Sequence, residues 1–248
     1  IDGIRLACQA LETPITGGNV SFYNETLGEG IYPTPVIGVV GILEDVHKAV
    51  ASHFRQPGRA LLLLQRPDRP LPSDLQNEFG SSEYAKEILG QIWGYPPGID
   101  LDFEAALQKT ILEMIDQELV ESVKDSSEGG LAVTAAECGF AHAIGAKLDL
   151  GANGLAPELA LFGEDASRIL ISCDPQNVGR IKEIAAKFTV SAQQIGSTIS
   201  GKLEISVDGK VAVAASVSEL KAGWETALQR ALHVETEERL VPATLQKS

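Results

Sequence analysis

The chain has 248 residues, enough to bury a sizeable core without a disulfide or metal staple. Lys plus Arg number 20 and Asp plus Glu 34, a formal charge of −14, which argues against sequence-independent nucleic-acid binding and against an anionic membrane surface. No apolar run approaches the roughly 18 residues that span a bilayer, and three widely spaced cysteines, Cys8, Cys138 and Cys173, argue against a disulfide framework or zinc knuckle and suit a reducing cytoplasm.

In chain order, Ile1, Ile4, Cys8 and Leu11 repeat at helical spacing, so the chain opens on a helix. Residues 13–16 read as a short strand entering Gly17-Gly18-Asn19, and residues 21–34, rich in Asn, Gly, Tyr and Pro, read as a loop. Residues 35–43 are β-branched and apolar, which predicts a buried strand. Gln56-Pro57-Gly58 is a turn, residues 59–65 a second buried strand, and residues 67–77 a surface loop. Residues 82–89 read as a short helix, and Asp102 as the cap of a long one from Phe103 to about Val120. Residues 131–142 predict a helix, 145–150 and 168–173 strands, and 176–187 a helix. Residues 188–197 and 202–215 predict strands, the latter with a hairpin turn at Val207-Asp208-Gly209-Lys210. Residues 218–232 read as a terminal helix capped by Ser218. This mixture lacks a regular strand-helix-strand period and predicts an α+β fold, with a boundary near residues 44–60.

Three segments could carry chemistry. In Thr16-Gly17-Gly18-Asn19-Val20-Ser21, paired glycines let the backbone approach a ligand and turn N–H groups toward phosphate oxygens. Asn19 offers an amide oxygen of the kind Mg²⁺ accepts, and Ser21 a hydroxyl two residues on. The plain alternative is a glycine turn with an Asx cap. The segment is neither a Walker A loop nor a dinucleotide fingerprint. Asp125-Ser126-Ser127-Glu128-Gly129-Gly130 precedes an apolar helix and is either its cap or an anion cradle. In Phe162-Gly163-Glu164-Asp165-Ala166-Ser167-Arg168, two acids and an arginine at short spacing suggest a local ion pair. His47, His53, His142 and His233 fall in no catalytic signature.

Together these segments resemble one family. Gly17-Gly18-Asn19-Val20-Ser21-Phe22-Tyr23-Asn24-Glu25-Thr26, then Ile31-Tyr32-Pro33-Thr34-Pro35-Val36-Ile37-Gly38 and Gly41-Ile42-Leu43-Glu44-Asp45-Val46 are similar to the synthetase subunit of phosphoribosylformylglycinamidine synthase. Ser82-Glu83-Tyr84, the turn at residues 125–131, and Phe162-Gly163-Glu164 with Arg168 resemble later segments of that family in the same order. One departure stands at Glu128, where the family pattern Asp-x-Ser-Asp-Gly-Gly has a second Asp.

The resemblance implies part of an ATP-binding domain of the aminoimidazole ribonucleotide synthetase type over residues 1–55, a complete C-terminal α+β domain over 56–235, and a polar tail over 236–248. It implies ATP contact at Gly18, Mg²⁺ at Asn19 and substrate contact at Ser21. The reaction implied is conversion of formylglycinamide ribonucleotide to formylglycinamidine ribonucleotide through an iminophosphate, with ammonia from a glutaminase subunit and a small accessory subunit in the complex. The family's catalytic histidine, phosphate-contacting lysine and most metal carboxylates would lie before Ile1. A chain that opens on Ile is therefore expected to be a fragment without appreciable turnover alone, with an apolar surface on its residue 1–45 side that favours self-association. The alternatives are a related synthetase, for aminoimidazole ribonucleotide or selenophosphate, and a non-catalytic nucleotide-binding or scaffold fragment.

Overall fold

The computed structural model describes residues 1–20, 23–32, 34–68, 72–152 and 154–239. They fall into two units, residues 1–49 and residues from Val50 onward.

The first unit opens on α1 (Asp2–Ala10), amphipathic as its spacing predicts, with no fully buried residue. Strands β1 (Glu25–Thr26) and β2 (Glu29–Gly30) then pair antiparallel. Leu27 and Gly28 turn the chain with φ of 54° and 84°, the mirror-image turn whose twist matches a two-residue hairpin. The expected strands at residues 13–16 and 35–43 do not form. Val36, Val40 and Ile42 are 93%, 96% and 90% exposed. Their β-branched composition records fitness for a half-buried pleated surface, and that preference is realised only beside a hydrogen-bonded neighbour. Among the described residues nothing pairs with this segment.

The second unit is built on one mixed sheet. Its elements are β3 (Ala60–Gln65), α2 (Pro72–Phe79), α3 (Glu83–Glu87), α4 (Leu101–Asp116), β4 (Ser122–Asp125), α5 (Gly130–Phe140), β5 (Ile144–Leu150), α6 (Pro157–Phe162), β6 (Ile169–Cys173), a 3₁₀ turn (Pro175–Asn177), α7 (Val178–Lys187), β7 (Ser191–Ser200), β8 (Lys202–Val207), β9 (Lys210–Ser216) and α8 (Val217–Arg239). The strand order is β4-β6-β3-β7-β5-β8-β9. Neighbours are antiparallel except β5 and β8, which run parallel. The architecture is α+β, as the irregular alternation of elements predicts.

β3 shows why its sequence is a continuous apolar run. It sits between β6 and β7, and both of its faces are covered. Leu61 and Leu63 pack on one side with Leu131, Ala135, Leu148, Leu170 and Ile205. Ala60, Leu62 and Leu64 pack on the other with Leu107, Ile111, Met114, Ile181 and Ile184. Successive side chains point to opposite faces, so a strand covered on both sides carries no polar alternation. α5 and α6 therefore lie on one face, and α4 and α7 on the other.

Element ends follow local chemistry. Asp100, rather than the expected Asp102, caps α4, its carboxylate accepting from the N–H groups of Asp102 and Phe103. Both acids fit a first helical turn, so composition alone does not choose between them. Ser216, rather than Ser218, starts α8. Its hydroxyl accepts from Glu219 N–H at 3.2 Å, and the Glu219 carboxylate accepts in turn from Ser216 N–H at 3.3 Å. This is a reciprocal capping box. The predicted hairpin forms at Asp208 and Gly209, with φ of 48° and 74°. The surface loop expected over 67–77 is replaced from Pro72 onward by α2, proline being well tolerated at the first helical position.

Candidate functional site

In the first unit the glycine bend is open. Gly18 takes a φ of +152°, a conformation that L side chains rarely adopt, and a methyl group built there would meet nothing within 4 Å. Gly17, Gly18, Asn19 and Val20 are all exposed. Main-chain and amide groups here are thus reachable by a ligand, and no hydrophobic interior seals them. Ser21 lies outside the described residues. Downstream, Tyr23 donates its phenol hydrogen to Glu25 Oε2 at 2.7 Å, and that carboxylate raises the phenol above its usual pKa.

The donor set limits what this bend can do with a metal. Mg²⁺ demands near-octahedral oxygen coordination and commonly keeps several waters. Among the described residues no group of three or more His, Cys, Asp or Glu is placed to hold a metal ion. Asn19 presents one exposed amide oxygen at this bend.

In the second unit, three segments that are far apart in sequence meet at one carboxylate. Glu164 Oε1 accepts from Gly129 N–H at 2.8 Å and from Glu83 N–H at 2.9 Å. Glu83 opens α3, which Ser82 caps by accepting from Ala85 N–H at 3.2 Å. Gly129 is the left-handed N-cap of α5, with a φ of 77°. Tyr84 stacks on Phe162, centroids 4.8 Å apart and planes at 22°. Gly130 lies so close to α6 that a methyl group on it would fall 2.7 Å from the Phe162 carbonyl carbon and 2.8 Å from the Gly163 oxygen.

The short spacing of Glu164, Asp165 and Arg168 suggests an ion pair, and one forms, between Asp165 and Arg168 at 3.5 Å. Glu164 has a different task. Its carboxylate ties the starts of α3 and α5 together through two charge-assisted bonds to backbone N–H groups. It is a long-range contact, 35 residues from Gly129 and 81 from Glu83, and no local spacing reveals it. Ser167 and Glu104 also escape sequence reading. The Ser167 hydroxyl donates to Glu104 Oε2 at 2.6 Å. Asp125 and Glu128 are exposed.

The cysteines divide by burial. Cys138 and Cys173 are buried, and desolvation pushes each thiol up to about 12. Cys8 is half-buried on α1. Since the thiolate is the nucleophile, alkylation of the folded protein at pH 8 is expected to label Cys8 and spare the other two. Mass mapping of the peptides checks this, and equal labelling of all three would contradict the burial.

Residues 56–208 match the family model described as AIR synthase related protein, C-terminal domain. The chain belongs to that family. The match falls within the second unit and takes in β3 through β8 with the helices between them, leaving β9 and α8 outside it. Among curated proteins, the chain is 37% identical over 227 residues to phosphoribosylformylglycinamidine synthase subunit PurL of Alkaliphilus metalliredigens, covering 92% of this chain and 30% of that protein. It is 38% identical over 228 residues to the same subunit of Moorella thermoacetica, at the same coverages. It is 39% identical to that of Thermobifida fusca, covering 91% of this chain and 28% of the relative. The chain thus spans about 30% of the length of the curated relatives it matches.

Solved structures of Thermotoga maritima PurL share the fold. The complex with FGAR aligns with a TM-score of 0.61 at 21% identity, over 71% of this chain and 30% of that one. The complex with ATP aligns with a TM-score of 0.55 at 20% identity, over 71% and 28%.

Proposed function

We propose that this chain forms the C-terminal part of the synthetase subunit of phosphoribosylformylglycinamidine synthase, a cytoplasmic ligase of purine biosynthesis. The observation that carries the reading is the 37–39% identity to PurL subunits over more than nine-tenths of the chain. The open glycine bend at Gly18 adds physical support. In this reading residues 1–55 belong to an ATP-binding domain and 56–235 to the C-terminal domain, with 236–248 a polar tail.

The substrate is formylglycinamide ribonucleotide. Its amide oxygen takes the γ-phosphoryl group of ATP to give an iminophosphate, and glutamine-derived ammonia from a glutaminase subunit displaces phosphate, with a small accessory subunit in the assembly. A transferring phosphoryl group demands positioning and charge neutralisation more than covalent help from the protein. Gly18 admits the phosphates to the main chain because it carries no side chain. The Asn19 amide oxygen is one ligand of Mg²⁺, which when bound neutralises phosphate charge. The Ser21 hydroxyl holds the substrate. In this reading the chain, which spans about 30% of the length of its relatives, contributes these supporting groups to a larger site, and the isolated chain has no appreciable turnover.

The test is a transplant: this chain replaces the matching 30% of a PurL relative, and ATP-dependent formylglycinamidine ribonucleotide formation is assayed with ammonia as donor. Turnover within about tenfold of the parent is expected. A well-folded hybrid without activity would overturn the reading.

A further inference from the structure

His53 and His142 form a pair that the proposed reaction does not use. Their ring centroids lie 4.7 Å apart with planes at 74°. His53 precedes Phe54, whose N–H donates to the Cys138 carbonyl of α5 at 2.8 Å. Phe54 is fully buried in the core, so the backbone beside His53 is pinned. His142 sits one turn beyond Cys138, in the turn that closes α5. That turn is fixed by Ala143, whose φ is 53° and whose carbonyl accepts from Gly201 N–H at 3.0 Å. His53 is half-buried and His142 exposed, so the pair is reachable from solvent while both backbones are held.

The separation suits joint coordination. An imidazole nitrogen sits about 2.0–2.1 Å from a bound zinc ion. The ring centre lies about 1 Å further out, so two rings at angles between square and tetrahedral place their centroids roughly 4.5–5.2 Å apart. The observed spacing falls inside that range. The carbonyl end of α5 carries the negative pole of the helix and favours a cation there, and the net charge of −14 adds a general attraction. Imidazole pairs select borderline transition ions over Mg²⁺ and Ca²⁺, which prefer oxygen. Among the described residues no cluster of three or more His, Cys, Asp or Glu is placed to hold a metal, so water would complete the coordination.

We propose that His53 and His142 together bind one divalent transition ion, such as Zn²⁺ or Ni²⁺, which clips the segment entering β3 to the end of α5. The reading is independent of the ligase proposal, since neither histidine belongs to the nucleotide bend.

Zinc titration of the purified chain by calorimetry, with Mg²⁺ in parallel, tests it. One equivalent of Zn²⁺ is expected to bind at this pair, and Mg²⁺ is not expected to compete. His53→Gln and His142→Gln are each expected to lose that equivalent or weaken it at least tenfold, while His47→Gln keeps it. Circular dichroism of the variants establishes that each remains folded, and the metal-free melting temperature is expected to stay within a few degrees of the parent. Zinc binding unchanged in either of the two variants would overturn the site, as would full competition by Mg²⁺. Loss of the equivalent in His47→Gln would overturn it as well.

Discussion

Gly130→Ala is expected to destabilise the second unit by about 3 kcal/mol or more. The residue has a φ of +63°, where a side chain costs roughly 1–2 kcal/mol. The new methyl group would also fall 2.7 Å from the Phe162 carbonyl carbon and 2.8 Å from the Gly163 oxygen. These are backbone atoms that cannot swing aside, so α6 must move away from α5. That movement draws on Glu164, two residues beyond Phe162, and loosens its bonds to Gly129 and Glu83. Strain of this kind commonly costs another 1–3 kcal/mol. Gly223→Ala is the matched control. It lies inside α8, with nothing within 4 Å of a built methyl group, and alanine there is expected to stabilise by about 0.5–1 kcal/mol. Urea unfolding of both variants measures the contrast. Equal midpoints for Gly130→Ala and the parent would contradict the close packing of α5 on α6.

Asn19→Ala, placed in the PurL hybrid, is expected to lower turnover by about one to three orders of magnitude, since loss of one ligand to a charge-neutralising ion removes a few kcal/mol from the transition state and each 1.36 kcal/mol is tenfold in rate. Asn19 is exposed, so its replacement is expected to leave the melting temperature unchanged. A fall in rate without a fall in stability separates a ligand from a turn cap. A hybrid with parental kinetics would remove Asn19 from the site.

What the sequence makes legible follows from where each preference is decided. β3 reads as a buried strand because both sheet faces demand apolar side chains from it. The Asp208-Gly209 turn reads directly because positive φ at both positions narrows the choice of residue. Residues 35–43 are an apolar run like β3, and richer in β-branched residues, but have no neighbouring strand among the described residues, and they are exposed instead. β4 (Ser-Val-Lys-Asp) carries little strand signal of its own, since it is short and half polar. It forms because β6 supplies a ladder for it. The site divides in the same way. The open bend at Gly18 and Asn19 is legible because glycine freedom is a local property. Glu164 is not, because its partners lie on two other helices and its local neighbours point to an ion pair instead. The family resemblance picks out all three segments that meet at Glu164, and the geometry supplies the reason they belong together.

The central claim is that the bend at Gly17-Gly18-Asn19 receives nucleotide phosphates and a divalent ion. Calorimetric titration of Mg²⁺ and ATP into the hybrid, with Asn19 intact and with Asn19→Ala, measures it most directly. The account predicts at least tenfold weaker binding of the Mg²⁺-nucleotide complex in the variant, with binding of metal-free ATP little changed. Superimposable Mg²⁺-dependent isotherms would contradict it.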